Sequence, residues 1–533
     1  MKLTPFAKTF IALVIVAVVG VVFYFRRHEI RAGLNAADRP SASAGPSDPP
    51  PDRLPEKSAV DPAGKGGAEP AAKPGRIVIG VNDFGGGYPL ILANDGALPG
   101  PKSLFAKAGV DVEVRLIRGS KERLKAFDDG EVHIMLLTLD YLANLAPLYK
   151  QKGVDLRSFL LVDWSRGNIG IAAKPQFKSI EELKTARIAT TRNTPTHYLL
   201  LSLLEKSNLT LPEIEDIKSR LVWAVKTPDA GALFARGEVD AVAIWEPHLS
   251  DAISDGKGVT LVTTETATNL VADVLFARKN WLEENREVVA RLTQTFFSAV
   301  DALNQDPAHA IDLSAEAFGQ KRDLVESTLK KIKPAQFADN RAFFGLETED
   351  CAYDHLFLEA STVWQREGLI KEGVAAVDSK WTKVLSALAP QYRDQKIVES
   401  FRFLGLPAQG GPSLLTKSIS IYFGSGQSSL DANARKVLDG FAKTLSMFQN
   451  AFVQVEGNTD NVGNRTANVA LSKSRAEAVI AYLVDRYRFD RSRFVAIGNG
   501  PDRPVADNQT NEGREQNRRT DFKLIKNVAR VAP

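Results

Sequence analysis

The chain has 533 residues, 44% hydrophobic and 25% charged, with one cysteine and a net charge of +4. That composition excludes a mostly disordered chain, a collagen-like chain and a polytopic membrane protein, and the lone Cys351 excludes an internal disulfide framework and a multi-cysteine metal cluster. The length asks for several domains. The basic surplus is local: from Pro412 onward 18 Lys and Arg stand against 12 Asp and Glu, which is +6, so the rest carries −2, too little charge to argue for nucleic acid.

The first segment, Phe10 to Phe25, reads FIALVIVAVVGVVFYF without a charge. At about 1.5 Å per residue it reaches about 24 Å, slightly short of a bilayer core. The run ends in bulky Phe23, Tyr24 and Phe25 rather than the small residues that precede signal cleavage. An uncleaved anchor over residues 1–31 is the expectation. Lys2 and Lys8 oppose Arg26, Arg27 and Arg31, so the flanking charge leaves its orientation open. Residues 32–75 read as a linker, because nine of the 27 prolines fall between Pro40 and Pro74 and no apolar period appears.

From Arg76 the chain becomes globular. RIVIGV (76–81) is a short apolar run, and in VDVEVRLI (110–117) Val110, Val112, Val114 and Leu116 alternate with charged residues. Strand signals alternating with helical stretches predict an α/β fold with a largely parallel sheet. A near-repeat follows at an offset of 107 residues: AFDDGEVHIMLLTLDYL (126–142) and LFARGEVDAVAIWEPHL (233–249) share Phe-x-x-Gly-Glu-Val before an apolar strand. Gly130 and Gly237 stand where a helix end favours a left-handed residue. The repeat predicts two lobes of similar build. Ligands of open α/β sheets bind beyond the carboxyl ends of strands, which here are Thr138 and Asp140 in one copy and Trp245 and Glu246 in the other.

Other cleft candidates follow the same logic. Asp83, Phe84 and Gly86 come after the first strand, with Tyr88 next, and the glycines there permit close backbone approach; an ordinary turn before a helix is the plainer reading. Thr191, Asn193, Thr194 and Thr196 precede a helix, with His197 behind. Hydroxyls and free N–H groups at a helix start suit an anion, whereas plain capping needs only one of them. Trp245 is placed either to stack on a ligand or to fill a core. Residues 282–400 read as mainly helical without a catalytic constellation, and no His-Glu-x-x-His, nucleophile-elbow or dinucleotide motif occurs. No enzyme activity, metal or cofactor is expected.

After GLPAQGGP (405–412) a compact α+β unit begins. ISIYF (419–423) alternates as a strand, and a helix follows with Ala434, Val437, Leu438, Phe441, Leu445 and Phe448 on one side. Strand FVQVEG (452–457), helix 466–484 and strands near 493–498 and 520–526 complete it. The loop carries Thr459, Asp460 and Gly463. Helix positions Asn468, Ser472 and Arg475 share a face, opposite Ala476, Val479, Ile480 and Leu483. A carboxylate and a guanidinium so placed could hold the two ends of a zwitterion; the plainer reading is a surface ion pair.

IYF (421–423), GNTDNVGNRTANVALSKSRAEAV (457–479) and RPVADNQTNEGREQNRRTDF (503–522) occur in order, and over 415–527 the chain resembles the OmpA-like peptidoglycan-binding domain. The resemblance implies that Asp460 and Arg475 grip a diaminopimelate side chain of the peptide stem. It places Thr459, Gly463, Asn468, Arg514 and Arg518 near that site. Asn458 departs from the His common in the family. The resemblance also implies that residues 412–533 lie outside the inner membrane, so the protein is a single-pass envelope protein with its bulk in the periplasm. A stator subunit of similar layout needs a carboxylate in its membrane helix, and 10–25 contains none.

GYPLILANDG (87–96), ERLKAFDDGEVHIMLLTLDYL (122–142), SIEELKTARIATTRNTPTHYLLLSLLEKSNL (179–209) and AGALFARGEVDAVAIWEPHL (230–249) resemble periplasmic substrate-binding proteins of ABC importers, of the nitrate, sulfonate, taurine and thiamine-precursor type. That resemblance implies two α/β lobes around a hinged cleft over 76–405, binding a small polar or anionic ligand without catalysis. Delivery to an ABC permease and sensing for a membrane partner both fit. The alternative is an envelope scaffold whose lobes serve protein contacts.

Overall fold

The computed structural model describes residues 75–348, 350–397, 401, 403, 413–421, 423 and 427–527. The anchor expected in 1–31, the linker before Gly75 and the 405–412 break lie outside them. Among the described residues no helix is long and apolar enough to cross a membrane.

Three sheets organise the chain. The first takes β1 (Arg76–Val81), β2 (Asp111–Leu116), β3 (Ile134–Thr138) and β4 (Leu156–Ser165). The second takes β5 (Ile169–Ala173), β6 (Ile188–Thr191), β7 (Val222–Ala224), β8 (Ala241–Trp245) and β9 (Val259–Thr263). The chain then returns to the first sheet with β10 (Ala272–Arg278) and β11 (Ile332–Pro334). The orders are β11-β4-β10-β3-β1-β2 and β7-β6-β8-β5-β9. In each sheet three strands run parallel, β2-β1-β3 and β7-β6-β8, and an antiparallel strand follows, β10 or β5. The duplicated motif occupies matching places. Helices Ser120–Asp128 and Thr227–Ala235 lead into β3 and β8, with Gly130 at φ +75° and Gly237 at φ +74°.

The sheets are mixed rather than largely parallel, and the reason is connection length. β4 passes to β5 through only 166–168, and β9 returns to β10 through 264–271. Parallel neighbours need a crossover of a dozen residues or more, whereas these links send the chain directly across to the other sheet. The two crossings are tied together: the Ser165 and Thr264 hydroxyls lie 2.8 Å apart, and Gly167 N–H donates to Thr264 Oγ1 at 2.8 Å.

The helical region wraps the first lobe. Helix Arg286–Gln305 buries Val289, Leu292, Phe296, Phe297, Val300 and Leu303, spaced by three and four. Helix Ala352–Arg366 packs against Leu139–Gln151 and places Trp364 so that its indole N–H donates to Asp140 O at 2.7 Å.

The third sheet, β12 (Leu415–Ile419), β13 (Ala451–Asn458), β14 (Phe494–Gly500) and β15 (Thr520–Lys526), has the order β12-β15-β13-β14. Helix Arg465–Tyr487 buries Ala476, Val479, Ile480 and Leu483 as its spacing predicts. Ser472 does not share the open face with Asn468 and Arg475: it is buried, and its Oγ accepts Gly500 N–H at 3.0 Å. Helix and sheet touch there because Gly457 has no side chain; a Cβ on it would stand 2.1 Å from Ser472 O. In helix Ala432–Met447, Val437 is exposed while Ala434, Leu438, Phe441 and Leu445 are buried. The free edge of β12 is covered by the second lobe: Thr416 N–H donates to Glu181 and Ser418 N–H to Asn208, each at 2.7 Å. The third sheet's domain also meets the second crossing, where Asn269 N–H donates to Met447 O at 3.1 Å and Asn450 Nδ2 to Glu265 O at 3.1 Å.

Candidate functional site

Two regions gather the chemistry. The first lies along the edge of the first sheet where β1 and β3 end and β10 begins. The Gly85–Gly87 turn follows β1 and is buried. A Cβ on Gly86 would stand 2.7 Å from Asp163 Oδ2 and 3.5 Å from Asp273 Oδ2. Asp163 (β4) and Asp273 (β10) are register partners, and Asp273 is also opposite Thr138 on β3. Both acids are buried, and so is Asp140 at the start of helix Leu139–Gln151.

Their ionisation reflects that burial. Desolvation pushes Asp163 well above the carboxylate range, reinforced by the charge of Asp273 and a shared proton between them. Asp273 is likewise raised by burial, against the partial relief of Asp163 and Arg123. Asp140 is pushed up to about 7 by burial, although Thr138 and the first N–H groups of its helix lie near its carboxyl without forming well-made hydrogen bonds. Apart from the proton Asp163 shares with Asp273, neither oxygen of Asp163 or of Asp140 has a hydrogen-bond partner.

The remaining first-lobe candidates have partners. Asp83 pairs with Arg118 at 3.0 Å and its carbonyl accepts Gln320 Nε2 at 3.0 Å. Phe84 is half-buried, and its N–H donates to Asn82 at 3.2 Å. Tyr88 is buried with its ring on Phe318 and its hydroxyl 3.4 Å from Gln320 Oε1.

On the second lobe the helix start at Pro195 is a threonine network. Thr194 Oγ1 donates to Thr191 O at 2.6 Å and lies 2.8 Å from Thr196 Oγ1, which lies 3.2 Å from Thr190 Oγ1. Thr194 also caps the helix by accepting His197 N–H at 3.4 Å. The hydroxyls thus bond one another and the helix. Asn193, at φ +57°, donates its N–H to His197 Nδ1 at 3.4 Å. His197 is buried between Trp223 and Trp364, with ring centroids 4.9 and 5.5 Å away, and its Nε2 has no partner. Burial, then Arg192 and Lys218, lowers its pKa to about 3, so the ring is neutral. Trp245 is half-buried at the end of β8. Glu246 beside it forms an ion pair with Lys331 just before β11, from one lobe to the other, and accepts Ser250 N–H at 3.0 Å.

Sequence reasoning did not select Asp163, Asp273 or Trp364. The signal for the acids was present: each is a lone charge inside an apolar strand, FLLVDWS and VADVLFA, where an unpaired charge is costly and needs a reason.

The second region is the loop after β13. Asp460 Oδ2 accepts Arg518 Nη1 at 2.7 Å and its Oδ1 accepts Val462 N–H at 3.1 Å. Arg475 lies within electrostatic reach of Asp460, with its guanidinium 4.8 Å over the Phe423 ring and its Nε donating to Gln427 O at 3.0 Å. Burial lowers the Arg475 pKa; Asp460 raises it and Arg518 lowers it further. Thr459 Oγ1 donates to Asp460 O at 2.8 Å, and Asn468 Nδ2 to Val462 O at 2.9 Å across a turn where Gly463 has φ +93°. Thus Asp460, Arg475 and Arg518 come together. Arg514 bonds instead to Asn508 O at 2.7 Å and to Asn511. Asn458 is buried behind the loop, donating to Asp521 and accepting from Asn499, each at 3.0 Å.

Residues 71–317 match the NMT1-like family and residues 422–518 the OmpA family. The outer membrane protein Omp38 of Acinetobacter baumannii is 37% identical over 117 residues, 21% of this chain and 33% of that protein. The putative aliphatic sulfonates-binding protein of Escherichia coli is 30% identical over 166 residues, 31% of this chain and 49% of that protein. The crystal structure of the periplasmic aliphatic sulphonate binding protein SsuA from Escherichia coli matches at 20% identity and a TM-score of 0.46, covering 59% of this chain and 99% of that one. The chain spans about a third of the length of Omp38 and about half that of the sulfonates-binding relative. It joins a region matched by the NMT1-like family to a C-terminal region matched by the OmpA family.

Proposed function

We propose that this protein is a periplasmic solute-binding module held to peptidoglycan by its C-terminal domain and to the inner membrane by residues 10–25. One observation carries the first half. Two sheets of matching strand order exchange the chain through the paired crossings 166–168 and 264–271, with buried polar groups at the facing strand ends. Such an arrangement closes on a small polar ligand by a hinge motion. Binding, not catalysis, is the activity, and capture for an ABC importer or sensing for a membrane partner is its use. The threonine hydroxyls that suggested an anion are engaged with one another, which removes that argument for an anionic ligand.

The tether rests on Asp460 and the two guanidinium groups near it. The ammonium of a diaminopimelate side chain would take Asp460, and its carboxylate Arg475 and Arg518, in the charge-assisted geometry that favours a fork.

A second reading, the envelope scaffold, is favoured by the docking of the C-terminal domain on Glu265, Thr268 and Asn269, which restrains the second crossing. A thermal-shift screen of the full chain separates the two, with nitrate, phosphate, sulfonates, taurine, pyrimidines, small carboxylates and small amines. A ligand at about 100 times its dissociation constant adds about 2.7 kcal/mol, and a rise of several degrees from one chemical class is the expected result. No response from any class would transfer the lobes to protein contacts.

A further inference from the structure

Resting on the solute-binding reading, we infer that Asp140, Asp163 and Asp273 form the recognition subsite of the cleft, and that it takes an organic cation, an ammonium or amidinium group.

Three features of the site lead there. The first is position. Thr138, Asp273 and Asp163 make one lateral row across β3, β10 and β4, at the end of the sheet where both crossings begin. Asp163 stands three residues before the first crossing and Asp273 two residues after the second. A group bound between them is therefore held by both strands that lead to the other lobe. Asp140 adds a third carboxyl, within electrostatic reach of Asp273.

The second is accounting of donors. Asp163 and Asp273 have four carboxyl oxygens, and one shared proton engages two of them. Both oxygens of Asp140 are also without a donor. Arg123 is a buried cation within electrostatic reach of Asp273, but its Nη1 donates to Ile117 O at 2.6 Å and its Nε meets no acceptor. Buried carboxyl oxygens without donors are costly. A group with two or three N–H donors and a positive charge would satisfy them, whereas an anion would add like charge.

The third is the cover over the acids. Gly86 lies directly over the two acids, and any side chain there would strike Asp163 Oδ2. Buried glycine backbone alone therefore closes the carboxyls on that side. A metal ion is disfavoured by the spread of the acids: among the described residues no three His, Cys, Asp or Glu side chains converge to hold one.

The test is calorimetric titration of the full chain with matched probes: benzamidine and putrescine as cations, benzoate and ethanesulfonate as anions, and calcium chloride. Binding of a cationic probe is expected, weakened at least tenfold in both Asp163→Asn and Asp140→Asn, with an unchanged circular-dichroism spectrum and cooperative thermal unfolding as the check on folding. Asp140→Asn leaves the proton-sharing pair intact, so it stays informative if Asp163→Asn fails to fold. Tighter binding of an anion, or of calcium, or cation binding indifferent to both substitutions, would overturn the subsite while leaving the solute-binding reading standing. Silence from all five probes would also overturn it, and only silence across the wider solute screen would remove the solute-binding reading with it.

Discussion

Glu456 in the C-terminal domain and Asp163 in the first lobe are both buried strand acids, 1% and 0% exposed, yet they are opposite in character. Glu456 accepts from Lys523 at 2.7 Å, from Arg503 and Asn499 at 3.0 Å, and from Gln454. Burial alone would raise its pKa, but Lys523, Asn499 and Gln454 together outweigh burial and hold it low. Asp163 has no donor beyond the proton it shares with Asp273, and burial with that facing acid drives its pKa up. Burial does not decide whether an acid is charged; the donors around it do. The C-terminal domain completes its buried charge from its own strands, as a rigid support for the loop of Asp460 requires. The first lobe leaves these acids without such donors, which suits the ligand subsite proposed above.

The largest expected effect breaks the completed side. Lys523→Met removes one charged donor from Glu456 and should lower the stability of the C-terminal domain by about 2 kcal/mol, read as a shift of the denaturant midpoint. Adding Glu456→Gln should recover most of the loss, because no charge is then stranded. A single substitution without effect would mean that water replaces Lys523 freely and that the two acid settings are less different than drawn here.

Next in size is the pH response of the incomplete side. Asp140 holds its proton up to about pH 7 when folded but only to about pH 3.9 when unfolded. The folded chain therefore binds more protons between these values, and stability rises as pH falls, the reverse of an acid held low by a salt bridge. The gain from pH 8 to pH 6 should be roughly 1.4 kcal/mol for this group. Thermal unfolding across that range should lose about that much of its response in Asp140→Asn, while Asp163 and Asp273 keep a response of the same sign. Smallest is the surface pair of Arg465, at the start of helix Arg465–Tyr487, and Asp502, in the loop after β14, both open to water. Arg465→Ala should leave the unfolding midpoint unchanged within error, since exposed pairs contribute little.

Local pattern made much of the fold legible. The alternation of Val110, Val112 and Val114, the repeated Gly-Glu-Val turns and the apolar face from Ala476 to Leu483 lie where their periods place them. What local pattern does not encode is where a strand goes next. The antiparallel insertion of β5 and β10 follows from two short crossings, and those depend on long-range pairing. Val437 and Ser472 were misplaced for a related reason: helical spacing gives a face but not its width, and only the close approach allowed at Gly457 explains why Ser472 is inside. Around Asp460 the sequence was readable because loop and helix are adjacent in the chain. Arg518, 58 residues on, reaches Asp460 only through the sheet. In the cleft, Asp163 and Asp273 are 110 positions apart and become neighbours only by strand register.

Asp460 stands between the two extremes, since it has a partner, but one that is 45% exposed and free to yield to a ligand. The proposed tether to the wall would depend on that exchange, and sedimentation of the full chain with diaminopimelate-type peptidoglycan measures it directly. The wild-type chain should be retained, and Asp460→Ala and Arg475→Ala should each abolish retention. Retention of both variants at the wild-type level would contradict the account.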